Sequence, residues 1–167
     1  EMMCAESPPP LVSLPTEQTN AVEVNQVTIE LGKLCEDSAW GQLLDRVGVN
    51  HPLAVVVFAM PYTGPRPPGT TVTETTIIHQ ALDRKNGDPD DRIALIEYIV
   101  QHAPEALKIR NSSGALPLHV LCMNGSRAGI KGDMRKRLAI PFIAAYPAST
   151  RETYGDFQRT PLHVLAS

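Results

Sequence analysis

The chain has 167 residues, 43% of them hydrophobic and 20% charged, so it can form a core without help from disulfide bonds. Its net charge of −3 provides no general attraction to nucleic acid or to an anionic membrane surface. Its three cysteines lack the spacing of a zinc site, which favours a reducing, intracellular and cytoplasmic setting and predicts no metal or other cofactor.

The predicted elements begin after a proline-rich tail. Residues 1–23 contain the run Ser7-Pro8-Pro9-Pro10, which is too rich in proline for a helix, and we expect a disordered tail or linker. From residue 24 onward, apolar residues recur at helical spacing, and Trp40 opens a second apolar stripe. We therefore expect residues 24–52 to form a helix pair that caps one end of the fold.

The next segment has the character of strands. Residues 55–58 are β-branched or aromatic, residues 70–76 are rich in threonine, and the intervening residues are rich in glycine and proline. This pattern predicts an extended β-hairpin over residues 53–75. The longest apolar run of the chain, residues 53–60, is much shorter than the roughly 20 residues of a membrane-spanning helix, so no membrane partner is expected.

Helical patterns return after the hairpin. Residues 76–109 and 110–152 each predict a complete helix pair, and residues 153–167 predict the first helix of another pair. Pro141 lies inside the second helix of the 110–152 pair, where it should cost about 3 kcal/mol or produce a kink. Because the last pair lacks its second helix, we interpret the sequence as a fragment of a longer repeat protein.

One short phrase occurs three times along the chain, at residues 76–81, 116–121 and 160–165. Its histidines, His79, His119 and His163, lie 40 and then 44 residues apart. A second marker keeps step with it, since a proline follows each predicted second helix, at Pro52, Pro104 and Pro147. Repetition at this period is the signature of a stacked solenoid.

These phrases resemble the ankyrin repeat, in which Thr-Pro-Leu-His opens the first helix after a glycine-containing turn. Thr160-Pro161-Leu162-His163 carries the resemblance, as does Gly114 followed by Leu116-Pro117-Leu118-His119. Ala145-Tyr146-Pro147 is similar to the divergent ankyrin-like repeats of unicellular algae. The resemblance covers residues 27–167 and implies a mostly α fold, an ankyrin-like helix-pair solenoid with a β-hairpin insertion.

The repeated histidines can be interpreted in two ways. Histidine is a common metal ligand and general base, but equivalent positions of stacked repeats lie in a row and do not converge on one ion. The resemblance instead implies that each histidine bonds to main chain in the neighbouring turns. No nucleophile motif or phosphate-binding loop accompanies them, so we expect no catalysis. The expected structural motif comprises Thr76, His79, Pro117, His119, Thr160, Pro161 and His163.

A solenoid exposes an extended surface of turns, which suits recognition of another protein. The residues expected to contact a partner lie at the tips of the turns: Thr63, Arg66, Arg110, Asn111, Ser112, Tyr154, Asp156 and Phe157. The sequence therefore predicts a protein-interaction or scaffold module. The alternative is a regulatory or targeting segment of a larger enzyme or channel whose active domain lies elsewhere.

One basic cluster leaves a choice open. Its members concentrate positive charge over one loop and the start of a helix: Arg127, Lys131, Arg135, Lys136 and Arg137. They could bind phosphate or an acidic partner, or they could form a solvated loop and helix face.

Overall fold

The computed structural model describes residues 18–61, 72–124, 129–130, 132–156 and 158–166. Within these ranges the protein is mostly α-helical. The helices are α1 (Gln18–Glu36), α2 (Trp40–Val49), α3 (Ile77–Asp83), α4 (Pro89–His102), α5 (Pro117–Asn124), α6 (Gly132–Ala145) and α7 (Pro161–Leu165). Two short strands, β1 (Phe58–Pro61) and β2 (Val72–Thr75), lie between α2 and α3. None of the described helices is both long and apolar enough to cross a lipid bilayer.

The helices contact one another in two rows. In the first row α1 contacts α3, α3 contacts α5, and α5 contacts α7. In the second row α2 contacts α4, and α4 contacts α6. Helices α1, α3 and α5 also contact the helix that follows each of them in the chain. Buried apolar side chains from both rows join in one core, among them Leu43, Val47, Ile78, Leu82, Leu95, Ile99, Leu121, Leu138 and Phe142.

A proline ends each helix of the second row in the same way. Each helix is followed by a short 3-10 turn, His51–Val55, Pro104–Lys108 or Pro147–Thr150, with proline at its first or second position. A residue before proline is kept out of the helical region, and Ala103 and Tyr146, which directly precede it, have φ of −137° and −142°. Asn50 has a similar φ of −135°. The recurring proline is therefore the stop signal of each helix pair.

The first helix starts earlier than the sequence predicts. Helix α1 begins at Gln18, so residues 18–23, which we assigned to the disordered tail, are helical. The prolines that exclude a helix end at Pro15, and no proline or glycine lies between that residue and Gly32. The expected disorder of residues 1–17 lies outside the described part of the chain.

The strands cover less of the chain than the predicted hairpin. β1 and β2 are antiparallel, with Phe58 opposite Thr75 and Pro61 opposite Val72. Pairing begins at Phe58 because residues 51–55 form a 3-10 turn that buries Ala54 in the core. The predicted tip between the strands lies outside the described residues.

Helix α6 continues through Pro141. Leu138 and Phe142 flank this proline and are buried in the core, where α6 contacts both α4 and α5. Apolar burial of this kind offsets the hydrogen bond that proline cannot donate.

The loop between α3 and α4 packs closely on the start of α2. The indole Nε1 of Trp40 donates to the carbonyl of Asn86 at 2.7 Å. Gly87 follows with a φ of +82°, and a Cβ atom there would lie 2.3 Å from the Ser38 carbonyl oxygen and 2.7 Å from the indole. Asp88 then caps α4, because its Oδ1 accepts from the amides of Asp90 and Asp91.

We predict that Gly87→Ala destabilises the protein more than Gly114→Ala. Gly114 has a similar φ of +76°, but nothing lies within 4 Å of a Cβ atom placed there. Gly114→Ala is therefore the control, and it should lower the free energy of unfolding only by the cost of left-handed backbone, about 1 to 2 kcal/mol. Gly87→Ala should lower it further, because its methyl group clashes with main chain. Urea unfolding measures both losses. Equal losses would show that the loop shifts to accommodate the methyl group.

Candidate functional site

His79 connects the start of one helix to the turn before the next. Its Nε2 lies 3.1 Å from the carbonyl oxygen of Ala115, and its Nδ1 lies 2.8 Å from Oγ1 of Thr76, directly before α3. Since a carbonyl can only accept, Nε2 carries the proton and Nδ1 accepts from the threonine hydroxyl. Burial lowers the pKa of His79 from 6.5 to about 4 and outweighs the hydrogen bond to Ala115, which raises the pKa. The ring is therefore neutral at pH 7.

His119 makes the same connection one helix pair later. Its Nε2 lies 3.0 Å from the carbonyl oxygen of Glu152, and its Nδ1 accepts from the backbone N–H of Leu116 at 3.2 Å. Nδ1 is thus an acceptor in His119 as it is in His79. Its donor here is a backbone N–H, because Leu116 lacks the hydroxyl group that Thr76 has. Burial again lowers the pKa of the ring.

His163 begins α7 with a capping box. Oγ1 of Thr160 accepts from the backbone N–H of His163, and the Nδ1 of His163 accepts from the backbone N–H of Thr160 at 3.3 Å. Pro161 occupies the first helical position, which needs no N–H donor. Unlike the other two histidines, His163 is exposed.

Residues 110–115 form the first turn, which we call finger 1, and residues 152–156 together with 158 and 159 form the second, finger 2. Arg110 joins the two. Its Nη1 donates to the carbonyls of Gly114, at 2.6 Å, and Thr153, at 2.9 Å. Its Nη2 forms an ion pair with Glu152, the residue whose carbonyl also accepts the hydrogen bond from Nε2 of His119. Sequence reasoning did not find this role of Glu152, for which the only signal is an opposite charge 42 residues after Arg110.

Finger 1 is a closed turn. Oδ1 of Asn111 accepts from the amides of Ser113 and Ala115, both at 3.0 Å. The amide of Ser112 donates to the carbonyl of Glu74 in β2 at 3.0 Å, so finger 1 is also connected to the strand pair. The side chains of Arg110 and Asn111, which we expected at a partner surface, thus hold the turns in place, while the side chain of Ser112 is exposed.

Finger 2 has one inward and one outward residue among those predicted to bind a partner. The Tyr154 ring lies 4.8 Å from the ring of His119, and its hydroxyl donates to Sδ of Met123 at 2.7 Å. Asp156 is exposed in a turn that the backbone pair between Tyr154 and Arg159 closes. The remaining predicted contacts, Thr63, Arg66 and Phe157, lie outside the described residues.

The basic cluster is dispersed where it is described. Arg137 forms an ion pair with Glu97 of α4, and Arg135 is half-buried with its charge acting on Cys122. Lys136 is exposed. Arg127 and Lys131 lie outside the described residues.

The described residues contain no group of three or more histidine, cysteine or acidic side chains able to hold a metal ion. The thiols of Cys35 and Cys122 are not joined in a disulfide. Burial raises the pKa of Cys35 to about 12 and also raises that of Cys122, so neither forms a thiolate nucleophile at pH 7.

We predict that His119→Ala lowers the free energy of unfolding by about 1 to 3 kcal/mol, because it leaves the Glu152 carbonyl and the Leu116 amide without their shared partner. His163→Ala is the matched control at the equivalent, exposed position and should cost less. Thermal or urea unfolding compares the two. A larger loss for His163→Ala would contradict the assigned role of His119.

We also predict that acid weakens the fold before its carboxylates titrate. Below pH 6.5 the unfolded chain protonates His79, whereas the folded chain does so only near pH 4. The stability present above pH 6.5 is therefore lost as the pH falls, by about 2 kcal/mol between pH 7 and pH 5 for this ring at 1.36 kcal/mol per pKa unit. Urea unfolding across this range should show the loss, and His79→Gln should have a flatter profile. Parallel profiles would contradict the lowered pKa.

Comparison of the chain with known protein families, with curated proteins and with solved structures finds no match. The function of the finger surface must therefore be inferred from the geometry of its own residues. That geometry is a set of main-chain turns connected to one another and to the starts of α3 and α5.

Proposed function

We propose that this chain is a protein-interaction or scaffold module built as an ankyrin-like helix-pair solenoid, with the β1–β2 strand pair as a lengthened finger. The proposed partner is another protein, bound by the exposed tips of the fingers. The two rows of helices, the proline-initiated turns and the three histidine phrases support the stacked arrangement.

The observation that carries the proposal is the connection of the fingers. Ser112 connects finger 1 to β2, Arg110 connects finger 1 to finger 2, and each buried histidine fixes a helix start against a finger. Binding of a partner to these turns would cost little conformational entropy, because the hydrogen bonds that order the turns already exist in the free protein. The bonded parts of the fingers are fixed and their tips are exposed, which favours recognition of a large surface on the partner.

The chemistry of the described side chains favours binding over catalysis. Both ring nitrogens of His79 and of His119 are occupied by bonds within the fold, and burial keeps each ring neutral. General base catalysis requires a nitrogen that can reach the substrate and a pKa near the working pH. The exposed residues Ser112, Ser113 and Asp156 offer polar contacts of mixed character, which suit a protein surface.

The test is capture of a partner from lysate of the source organism by the full chain, followed by chemical cross-linking to locate the contact. We expect cross-links at fingers 1 and 2, and loss of the captured protein in the double variant Ser112→Arg, Asp156→Arg. The matched control is Ala94→Arg, an exposed residue of α4 in the second row. Capture that survives the double variant but is lost in Ala94→Arg would overturn the finger proposal.

A further inference from the structure

Arg92 lies in the first turn of α4 and is buried although it carries a charge, with only 3% of the residue exposed. Its Nη1 donates to the main-chain carbonyl of Arg84, the residue directly after α3. Its Nε has no hydrogen-bond partner among the described residues. Burying a cation with so few bonds costs free energy, and an apolar residue of similar size is often at least as stabilising in such a place. An arginine here therefore calls for a role other than stability alone.

The carbonyl that Arg92 holds lies at one end of a chain of side-chain hydrogen bonds. Nε of Arg84 donates to Oε1 of Gln80 at 2.8 Å, and Nε2 of Gln80 donates to Oγ1 of Thr75 at 3.1 Å. The hydroxyl of Thr75 in turn donates to the carbonyl of Thr76 at 3.4 Å. These bonds extend along the whole of α3, from the residue after its end to the two residues before its start.

The far end of this chain is the base of finger 1. The hydroxyl of Thr76 bonds to Nδ1 of His79, and Nε2 of His79 bonds to the carbonyl of Ala115 in finger 1. The carbonyl of Glu74 in β2 accepts from the amide of Ser112 in the same finger. The bonds that hold finger 1 therefore begin where the chain of side-chain bonds ends.

We propose that Arg92 is a positioning residue for finger 1. It fixes the Arg84 carbonyl and with it the end of α3, and the bonds through Gln80 extend this constraint to the base of the finger. A helix of 7 residues has little stability of its own, so its position depends on what holds its two ends. The inference rests on the proposed role of the fingers as a binding surface, and it adds a buried residue that lies outside that surface.

The equivalent arginine of the next helix pair lacks this connection. Arg135 of α6 lies as far before the proline that ends its pair as Arg92 does, and its charge acts on Cys122 of α5. Val120 directly follows the repeated histidine of α5, as Gln80 follows that of α3, but its side chain cannot form a hydrogen bond. Arg135→Met is therefore a matched control for Arg92→Met.

The test is hydrogen exchange of the full chain without a partner, measured by NMR at the amide of Ser112 and at Nε2 of His79 and His119. Arg92→Met and Gln80→Met each interrupt the chain of bonds to the base of finger 1. Each should accelerate exchange at Ser112 and His79 by about tenfold, the equivalent of one hydrogen bond. Exchange at Nε2 of His119 should stay unchanged, because this ring bonds to finger 2.

Three further variants separate positioning from general stability. The double variant Arg92→Met, Gln80→Met should exchange no faster at Ser112 than the faster single variant, because both changes interrupt the same chain. Arg92→Lys keeps a charged donor for the Arg84 carbonyl and should restore part of the protection of the Ser112 amide. Arg135→Met should leave exchange at Ser112 unchanged.

Several outcomes would overturn the proposal. Unchanged exchange at Ser112 in Arg92→Met would do so, as would equal acceleration at His79 and His119, which indicates a general loss of stability. Single effects that multiply in the double variant would show that the two residues act independently, which also contradicts it. If circular dichroism shows that Arg92→Met does not fold, Arg92→Lys and Gln80→Met decide the same comparison. Because the measurement needs no partner, it can fail while the proposal that the fingers bind a partner stands.

Discussion

The arrangement depends on a neutral imidazole that bridges the start of a helix to the main chain of the next turn. At His79 and at His119, Nδ1 accepts a hydrogen bond beside the helix start while Nε2 donates to a carbonyl more than 30 residues later. Only the tautomer with its proton on Nε2 satisfies both ends. Burial and bonding therefore select the same state of the ring, since the low-dielectric interior disfavours the charged form that would have two donors.

The fingers follow from these bridges. Each bridge fixes one carbonyl, of Ala115 or of Glu152, and the rest of the turn is organised around it. Asn111 closes finger 1 next to the Ala115 carbonyl, and Arg110 binds the residue whose carbonyl His119 occupies. Two of the side chains that the sequence placed at a partner surface, Arg110 and Asn111, thus hold the turns together. The turns have exposed tips, and the rest of each turn cannot rearrange without breaking several hydrogen bonds.

Periodic features of the fold could be predicted from sequence, and non-local ones could not. The apolar stripes of α4 and α6, the prolines that end them and the threonine cap of α7 are local patterns. The start of β1 at Phe58 depends on burial of Ala54, and the inward position of Tyr154 depends on His119, which lies 35 residues earlier in the chain. Residues 117–121 of α5 and 161–165 of α7 are identical in sequence, but Leu118 and Leu121 are buried while Leu162 and Leu165 are exposed, because the two helices have different neighbours. Local sequence specifies the helix, while its neighbours decide what it buries.

The histidine bridges all point forward along the chain, and this gives the molecule a direction of assembly. The ribosome synthesises His79 36 residues before Ala115, whose carbonyl completes the hydrogen bonding of the ring. It synthesises His119 33 residues before Glu152, whose carbonyl has the same role. At translation rates of about 5 to 20 residues per second, Nε2 of each of these histidines remains for a few seconds without its carbonyl acceptor. The bond of each buried histidine can therefore form only after the next turn has been synthesised.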